Sequence, residues 1–378
     1  MHAFPPRARL PLPSSLVLAV ALIAPACGET APTSSTSSAA TSAAARSSAS
    51  ASASASSSTS AAVARPPAGS VPAELRAKLD AGASCKWNEE GLMQACAADE
   101  PLKSYVESNR SPATLEGCLS AVSDEAPAIR VMAAACLYDY YFGISDLDAK
   151  PTAGKVFEVV LPAIERETSP GVRAALGTAI WQRDAASVGK TDAVISTLQK
   201  LDPAKDGRAM SFLVASLYHF GMTEEPPKGV LDLAAGYAAS PSASLRQDAY
   251  ALMGYAPTRA EVFCPLLRRA VEQDAEKWTD ALSALNGLGK ACEKEAEAVH
   301  AAILGRLERA ADPAHQSADE ISSWGELRSY VGSDLRTPAQ RDAVAKAADK
   351  IAKGTKTSAS HKKYATSLAD DARGKKAK

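Results

Sequence analysis

The sequence predicts an all-α protein, and three observations carry that expectation. Alanine supplies much of the 46% hydrophobic content, whereas only 5% of the residues are aromatic. Alanine is the strongest helix former, and its small side chain lets helices approach closely. Runs of Val, Ile, Thr and aromatic residues bounded by turns, the mark of strands, are nearly absent. Finally, a short pattern recurs: a loop, an arginine, then an Ala-rich apolar run. It stands at Pro127-Ala-Ile-Arg130, Ser169-Pro-Gly-Val-Arg173, Lys205-Asp-Gly-Arg208 and Ser244-Leu-Arg246. The arginines lie 43, 35 and 38 residues apart, the scale of a two-helix repeat.

Aligned on those arginines, the copies agree. One place before stand Ile129, Val172, Gly207 and Leu245. Six places after stand Cys136, Ala179, Val214 and Leu252, and seven after stand Leu137, Ile180, Ala215 and Met253. These positions fall on one stripe of a helix and predict a core-facing side. The third copy is the weakest, with Gly207 and Ser211 on that side. A poorer fifth copy begins at Asp274-Ala-Glu-Lys-Trp278.

From the N-terminus, residues 1–26 read as an export signal. Arg7 and Arg9 form a basic start, and Leu16–Ile23 is an apolar run too short to span a bilayer. Ala24-Pro25-Ala26-Cys27 resembles a bacterial lipobox, although Ala24 stands where leucine is usual and Pro25 is unusual at its place. The resemblance implies lipidation of Cys27 and a stable diacyl anchor; cutting of an ordinary secretory signal after Ala26 is the alternative. Parity favours the lipoprotein: seven cysteines less Cys27 leave an even set. The expected location is the bacterial cell envelope, at its periplasmic or outer-membrane face, with secretion as the alternative.

Residues 27–70 are a Ser/Ala/Thr-rich segment with hardly any large apolar group, expected to be a disordered linker. As a flexible coil it would reach roughly 35–40 Å. A glycosylated Ser/Thr stalk is the other reading of that composition. A helical repeat domain is expected over 71–335 and a basic helical tail over 336–378. Helical spacing, with proline in first turns and Gly, Asn or Asp near the ends, predicts helices over 72–80, 89–98, 101–108, 112–123, 127–142, 152–166, 170–182 and 190–200. Further helices are expected over 206–220, 227–239, 242–254, 258–272, 274–288, 291–310, 318–332, 337–353 and 359–372.

Ser123-Asp-Glu-Ala-Pro-Ala-Ile-Arg130 and Ser169-Pro-Gly-Val-Arg173 resemble the loop that opens the second helix of HEAT-like repeats. The resemblance covers at most about residues 110–300. It implies a curved α-solenoid of antiparallel helix pairs whose extended surfaces bind macromolecules, although some members of the family are enzymes. Tetratricopeptide-type or mixed helical hairpins are the alternative, but their Trp-Leu-Gly-Tyr pattern is not evident.

The six remaining cysteines are expected to form disulfides: Cys85 with Cys96 across a short loop, Cys118 with Cys136 across a helical hairpin, and Cys264 with Cys292 on helices flanking 274–288. Six cysteines allow fifteen connectivities. No CxxC occurs and no histidine lies near in sequence, so a zinc site is not expected. His2, His219, His300, His315 and His361 share no helical turn. Gly189-Lys190-Thr191 lacks the earlier glycine of a phosphate loop, because Asp184 stands there. Asp146-Leu-Asp148 lacks the glycine and distal glutamate of a calcium hand. Asp99-Glu100, Glu224-Glu225 and Asp319-Glu320 sit where acids complement helix dipoles.

Net charge is −1, but it is divided: 71–335 carries −12 and 336–378 carries +8. In the tail, Lys346, Lys350 and Lys353 share a helical face, with Lys362, Lys363, Lys375, Lys376 and Lys378 beyond. The expected function is that of an envelope-anchored lipoprotein acting as a protein-binding or scaffolding module, not an enzyme, with no cofactor and no metal. Its partner would be an envelope protein, met at Tyr138, Tyr141, Trp181 and Tyr250, around the aromatic cluster Tyr138-Asp-Tyr-Tyr-Phe142. Nucleic acid is not an expected partner; the membrane is met through the lipid. The alternatives are an enzyme whose site is assembled from separate repeats, and a spacer whose basic tail contacts an anionic cell-wall polymer or lipid.

Overall fold

A computed structural model describes residues 71–374 apart from 89, 92, 95, 143–145, 182, 219–224, 313–326, 328–329 and 332–336. These residues belong to one of the chain's two units, the one spanning Val63–Lys378. The segments expected to be signal and linker, Cys27, His2, His219, Glu224, His315, most of the helix expected over 318–332 and the last three lysines lie outside them. So do the side chains of Asp146 and Asp148.

The described residues are mostly helical. Many helices start where the chain satisfies their free amides. Ser111, Ser169, Ser242 and Ser358 each accept a backbone N–H from the residue three places on, and Thr337 with Gln340 forms a reciprocal capping box. Proline fills the first helical position after Ser111, Ser169 and Thr337, where its missing N–H costs nothing.

In chain order the helices are α1 (Ala73–Ala81), α2 (Asp99–Ser108), α3 (Pro112–Ala121), α4 (Pro127–Tyr141), α5 (Asp146–Arg166), α6 (Pro170–Thr178) and α7 (Thr191–Leu198). They continue as α8 (Gly207–Ala215), α9 (Lys228–Tyr237), α10 (Ala243–Met253), α11 (Ala260–Gln273), α12 (Trp278–Leu288) and α13 (Ala296–Ala310). Last come α14 (Pro338–Lys353) and α15 (Ala359–Ala372).

One row of neighbours runs α4, α6, α8, α10, α12, each packed on the next. The helix preceding each member packs on it: α3 on α4, α5 on α6, α7 on α8, α9 on α10 and α11 on α12. The stripe read from the sequence faces this core. Ile129, Val172, Leu245, Leu137, Ile180, Leu252 and Met253 are all buried. The basic C-terminal segment is not a loose appendage: α14 packs on α13 and on α15, burying Val344, Ile351 and Leu368.

The expected helix over 89–98 is not formed. Instead β1 (Lys86–Trp87) pairs antiparallel with β2 (Met93–Gln94) as a small hairpin, closed by the Cys85–Cys96 disulfide. Eleven residues of helix would hold two Cα atoms about 16 Å apart, whereas these lie 4.9 Å apart. Gly91 turns the hairpin at φ 76°, and a Cβ there would stand 2.4 Å from the Ala175 amide nitrogen. Only glycine fits a turn pressed that closely onto α6.

Cys118–Cys136 links α3 to α4, and Cys264–Cys292 links α11 to the 3₁₀ segment Gly289–Glu295, the three pairings set out above.

The recurring arginines explain the loops that precede α6, α8 and α12. Arg130 pairs with Glu167 at 2.7 Å and donates to the carbonyls of Asp124 and Glu125. Arg173 pairs with Asp206 and donates to Ile164 O. Arg246 pairs with Asp274 at 2.6 Å and donates to Ser240 O. Each of these acids also accepts amides of its own loop: Thr168 and Ser169 on Glu167, Asp202 on Asp206, Glu276 and Lys277 on Asp274. One carboxylate thus closes a loop and ties it to the preceding helix of the row. Burial alone would raise the Glu167 carboxyl, but the Ser169 amide, Arg130 and the Thr168 amide outweigh it and hold it below its ordinary range.

Arg208 departs from this series. Arg130, Arg173 and Arg246 occupy the fourth position of their helices, but Arg208 occupies the second position of α8. Two residues are about 200° of helix, so it emerges on the opposite side. The loop before α10 is Ala239-Ser-Pro-Ser242 and offers no acid. Gly207, beside it, allows a close approach: a Cβ there would stand 2.2 Å from the Ser242 Cβ. Ser211 in the same helix donates to Asp248, which also accepts from Tyr218 at 2.7 Å.

Candidate partner-binding groove

A groove of about 390 Å³ crosses the start of the helix row, over α2, α4, α6, α8 and the small hairpin. Its apolar wall is a line of rings. Tyr138 lines the groove, and Phe142, the extended residue that caps the C-terminus of α4, flanks it with ring centroids 6.0 Å apart. Tyr138 stacks on Trp181, just beyond α6, at 6.3 Å and an interplanar angle of 13°. Trp181 in turn meets the edge of Phe212 on α8 at 5.9 Å and 65°. The Arg208 guanidinium closes the line, 4.4 Å from the Phe212 centroid. Phe142 is 59% exposed and Trp181 36%. Phe142 and Trp181 are the exposed rings of this line; Tyr138 between them is half-buried, and Phe212 is 3% exposed and backs Trp181 from α8.

The polar wall comes from α2 and α4. Asp99 and Lys103 lie on α2, and Asp139 on α4 is 8% exposed. Burial, reinforced by the charges of Asp99, Glu107 and Glu100, raises the Asp139 carboxyl to about 6, with Lys103 opposing. Burial and then Glu100 also raise Asp99. Arg110 donates to the backbone carbonyls of Phe142 and Asp139 and so holds the C-terminal turn of α4.

Of the four residues singled out from the sequence, the structure brings Tyr138 and Trp181 together in this groove. Tyr141 is 6% exposed and lies beneath the Arg183 guanidinium, 3.7 Å from its ring centroid. Tyr250 is 2% exposed; its hydroxyl donates to Asp274 and Ala238 O beside a different cavity, of about 500 Å³, shared with Arg246. Neither offers a ring face to a partner, because both fill the core side of their helices. Phe142 closes the aromatic cluster read from the sequence, whereas Asp139, Arg208 and Phe212 were not among the expected contact residues. Asp139 carries a signal in hindsight: a carboxylate inside an otherwise apolar and aromatic helix, at core spacing from Met132 and Cys136.

Among the described residues, no group of three or more His, Cys, Asp or Glu is arranged to hold a metal ion, and no helix is long and apolar enough to cross a membrane. The three disulfides are compatible with an extracytoplasmic protein. No family model matches the chain, and no curated protein is significantly similar to it.

Proposed function

We propose that this chain is an envelope protein, lipid-anchored through Cys27, whose HEAT-like solenoid of antiparallel helix pairs binds another protein through the aromatic groove. The exposed rings of Phe142 and Trp181, joined through the half-buried Tyr138 and backed by the buried Phe212, carry the reading. Exposed aromatic rings with apolar bodies and fixed neighbours are the side chains that dominate protein interfaces. The regular row α4 to α12 and the arginine–carboxylate ties between repeats support a rigid scaffold behind that line. Site-specific photo-cross-linking in the intact envelope tests it, with the photoreactive group at Phe142 or at Tyr364, a comparably exposed ring on α15. The reading requires one discrete conjugate from position 142 that is missing from position 364. Equal labelling from both positions, or none from 142, would contradict it.

A second reading has one observation behind it. A carboxyl raised to about 6 beside another acid is how an acid–base pair is set up in an enzyme. Under that reading Asp139→Asn abolishes turnover of a small substrate and leaves capture of a protein partner intact.

A further inference from the structure

Two ionisable groups in the groove have hydrogen-bonding capacity that the protein leaves unused. The Asp139 carboxylate is nine-tenths buried, yet among the described residues it accepts no hydrogen bond and joins no ion pair. The Arg208 Nε is buried without a partner, and its guanidinium rests on Phe212. Both line the same groove as the stacked Tyr138 and Trp181 rings. A buried carboxylate without donors is destabilising, and here the donor has open access from the groove. The other charges nearby do not fill that role. Asp99, Glu100 and Glu107 repel it, Lys103 acts on it without reaching ion-pair distance, and Arg110 is committed to backbone carbonyls.

We propose that the groove binds a peptide segment carrying a lysine or arginine, whose cation sits on Asp139 against the Tyr138 and Trp181 rings while a peptide carbonyl or carboxylate accepts from Arg208. Each part has its chemistry: a cation is drawn both to a carboxylate and to aromatic faces, and an arginine donates well to carbonyl and carboxylate oxygens. The −12 charge of residues 71–335 attracts a basic segment at longer range. This inference rests on the partner-binding reading and gives the partner its chemistry.

The test selects displayed random heptapeptides against the intact, disulfide-bonded chain, retaining those whose binding is lost in Trp181→Ala. The enriched peptides are expected to share a lysine or arginine. Replacing that residue by norleucine, or Asp139 by Asn, should each weaken binding at least tenfold, and the two changes together no more than either alone. Asp139→Asn must keep its far-UV circular dichroism, and Asp99→Asn, at the groove edge, should give a smaller loss. Trp181-dependent peptides without a basic residue, or binding unchanged in a folded Asp139→Asn protein, would overturn the inference and leave the partner-binding reading standing. Failure to recover any Trp181-dependent peptide would count against both.

Discussion

Replacing Asp139 by asparagine should make the protein more stable at neutral pH. The carboxyl titrates at about 6 instead of its ordinary 3.8, and it has no hydrogen bond to offset its burial. The unfolded chain releases this proton near 3.8, the folded chain near 6, so between those values the folded state holds the extra proton. Its ionisation therefore opposes folding: the penalty is complete above pH 6, declines as pH falls, and is gone below 3.8. A shift of about two pH units corresponds to about 3 kcal/mol. Asparagine keeps the shape without the charge, so Asp139→Asn should gain about 2–3 kcal/mol at pH 7.5 and almost nothing at pH 4. With a denaturant slope of about 3 kcal/mol per molar urea, the neutral midpoint should rise by somewhat under 1 M. Urea unfolding followed by circular dichroism at pH 7.5, 5.5 and 4.0 measures this. A destabilised variant at pH 7.5, or a gain that does not fade on acidification, would refute the claim that Asp139 is a buried carboxylate without a partner.

Other substitutions probe the scaffold. Arg130→Ala leaves Glu167, whose side chain is 5% exposed, without its cation, and should cost about 3–5 kcal/mol at pH 7. Because the Glu167 carboxyl is held below its ordinary range, that cost should shrink as pH falls below about 4.5 in the same urea experiment. Gly207→Ala places a Cβ against Ser242 and should lower stability by about 1–3 kcal/mol, read as a lower melting temperature. Removing Cys118 and Cys136 together opens a link spanning 18 residues, and unfolding midpoints should show a loss of about 3 kcal/mol.

The helices were legible because their ends are written locally. Ser111, Ser169, Ser242 and Ser358 announce their starts, and the stripe through Leu137, Ile180 and Met253 gives the buried side. The 86–94 hairpin was not legible. Its residues have helical propensity in part, and it exists because a disulfide and the packing of Gly91 onto α6 override that propensity. Aligning on arginine also hid Arg208, since its neighbours fit the apolar stripe in either register; residues Ala209–Ala215 are all buried. The site was half legible for a related reason. An aromatic residue on a helix fits the core or a surface equally well, and only the packing of α6 on α4 and of α8 on α6 decides it. Tyr138 and Trp181 meet across those helices, whereas Tyr141 and Tyr250 turn inward.

The most direct test of the central claim is calorimetric titration of the partner captured from position 142 into the wild-type chain, Trp181→Ala and Tyr364→Ala. An aromatic anchor at the centre of an interface is worth about 2 kcal/mol or more. The groove account predicts at least a tenfold weaker complex for Trp181→Ala and an unchanged one for Tyr364→Ala. Wild-type affinity in a folded Trp181→Ala protein, or equal losses in both variants, would contradict it.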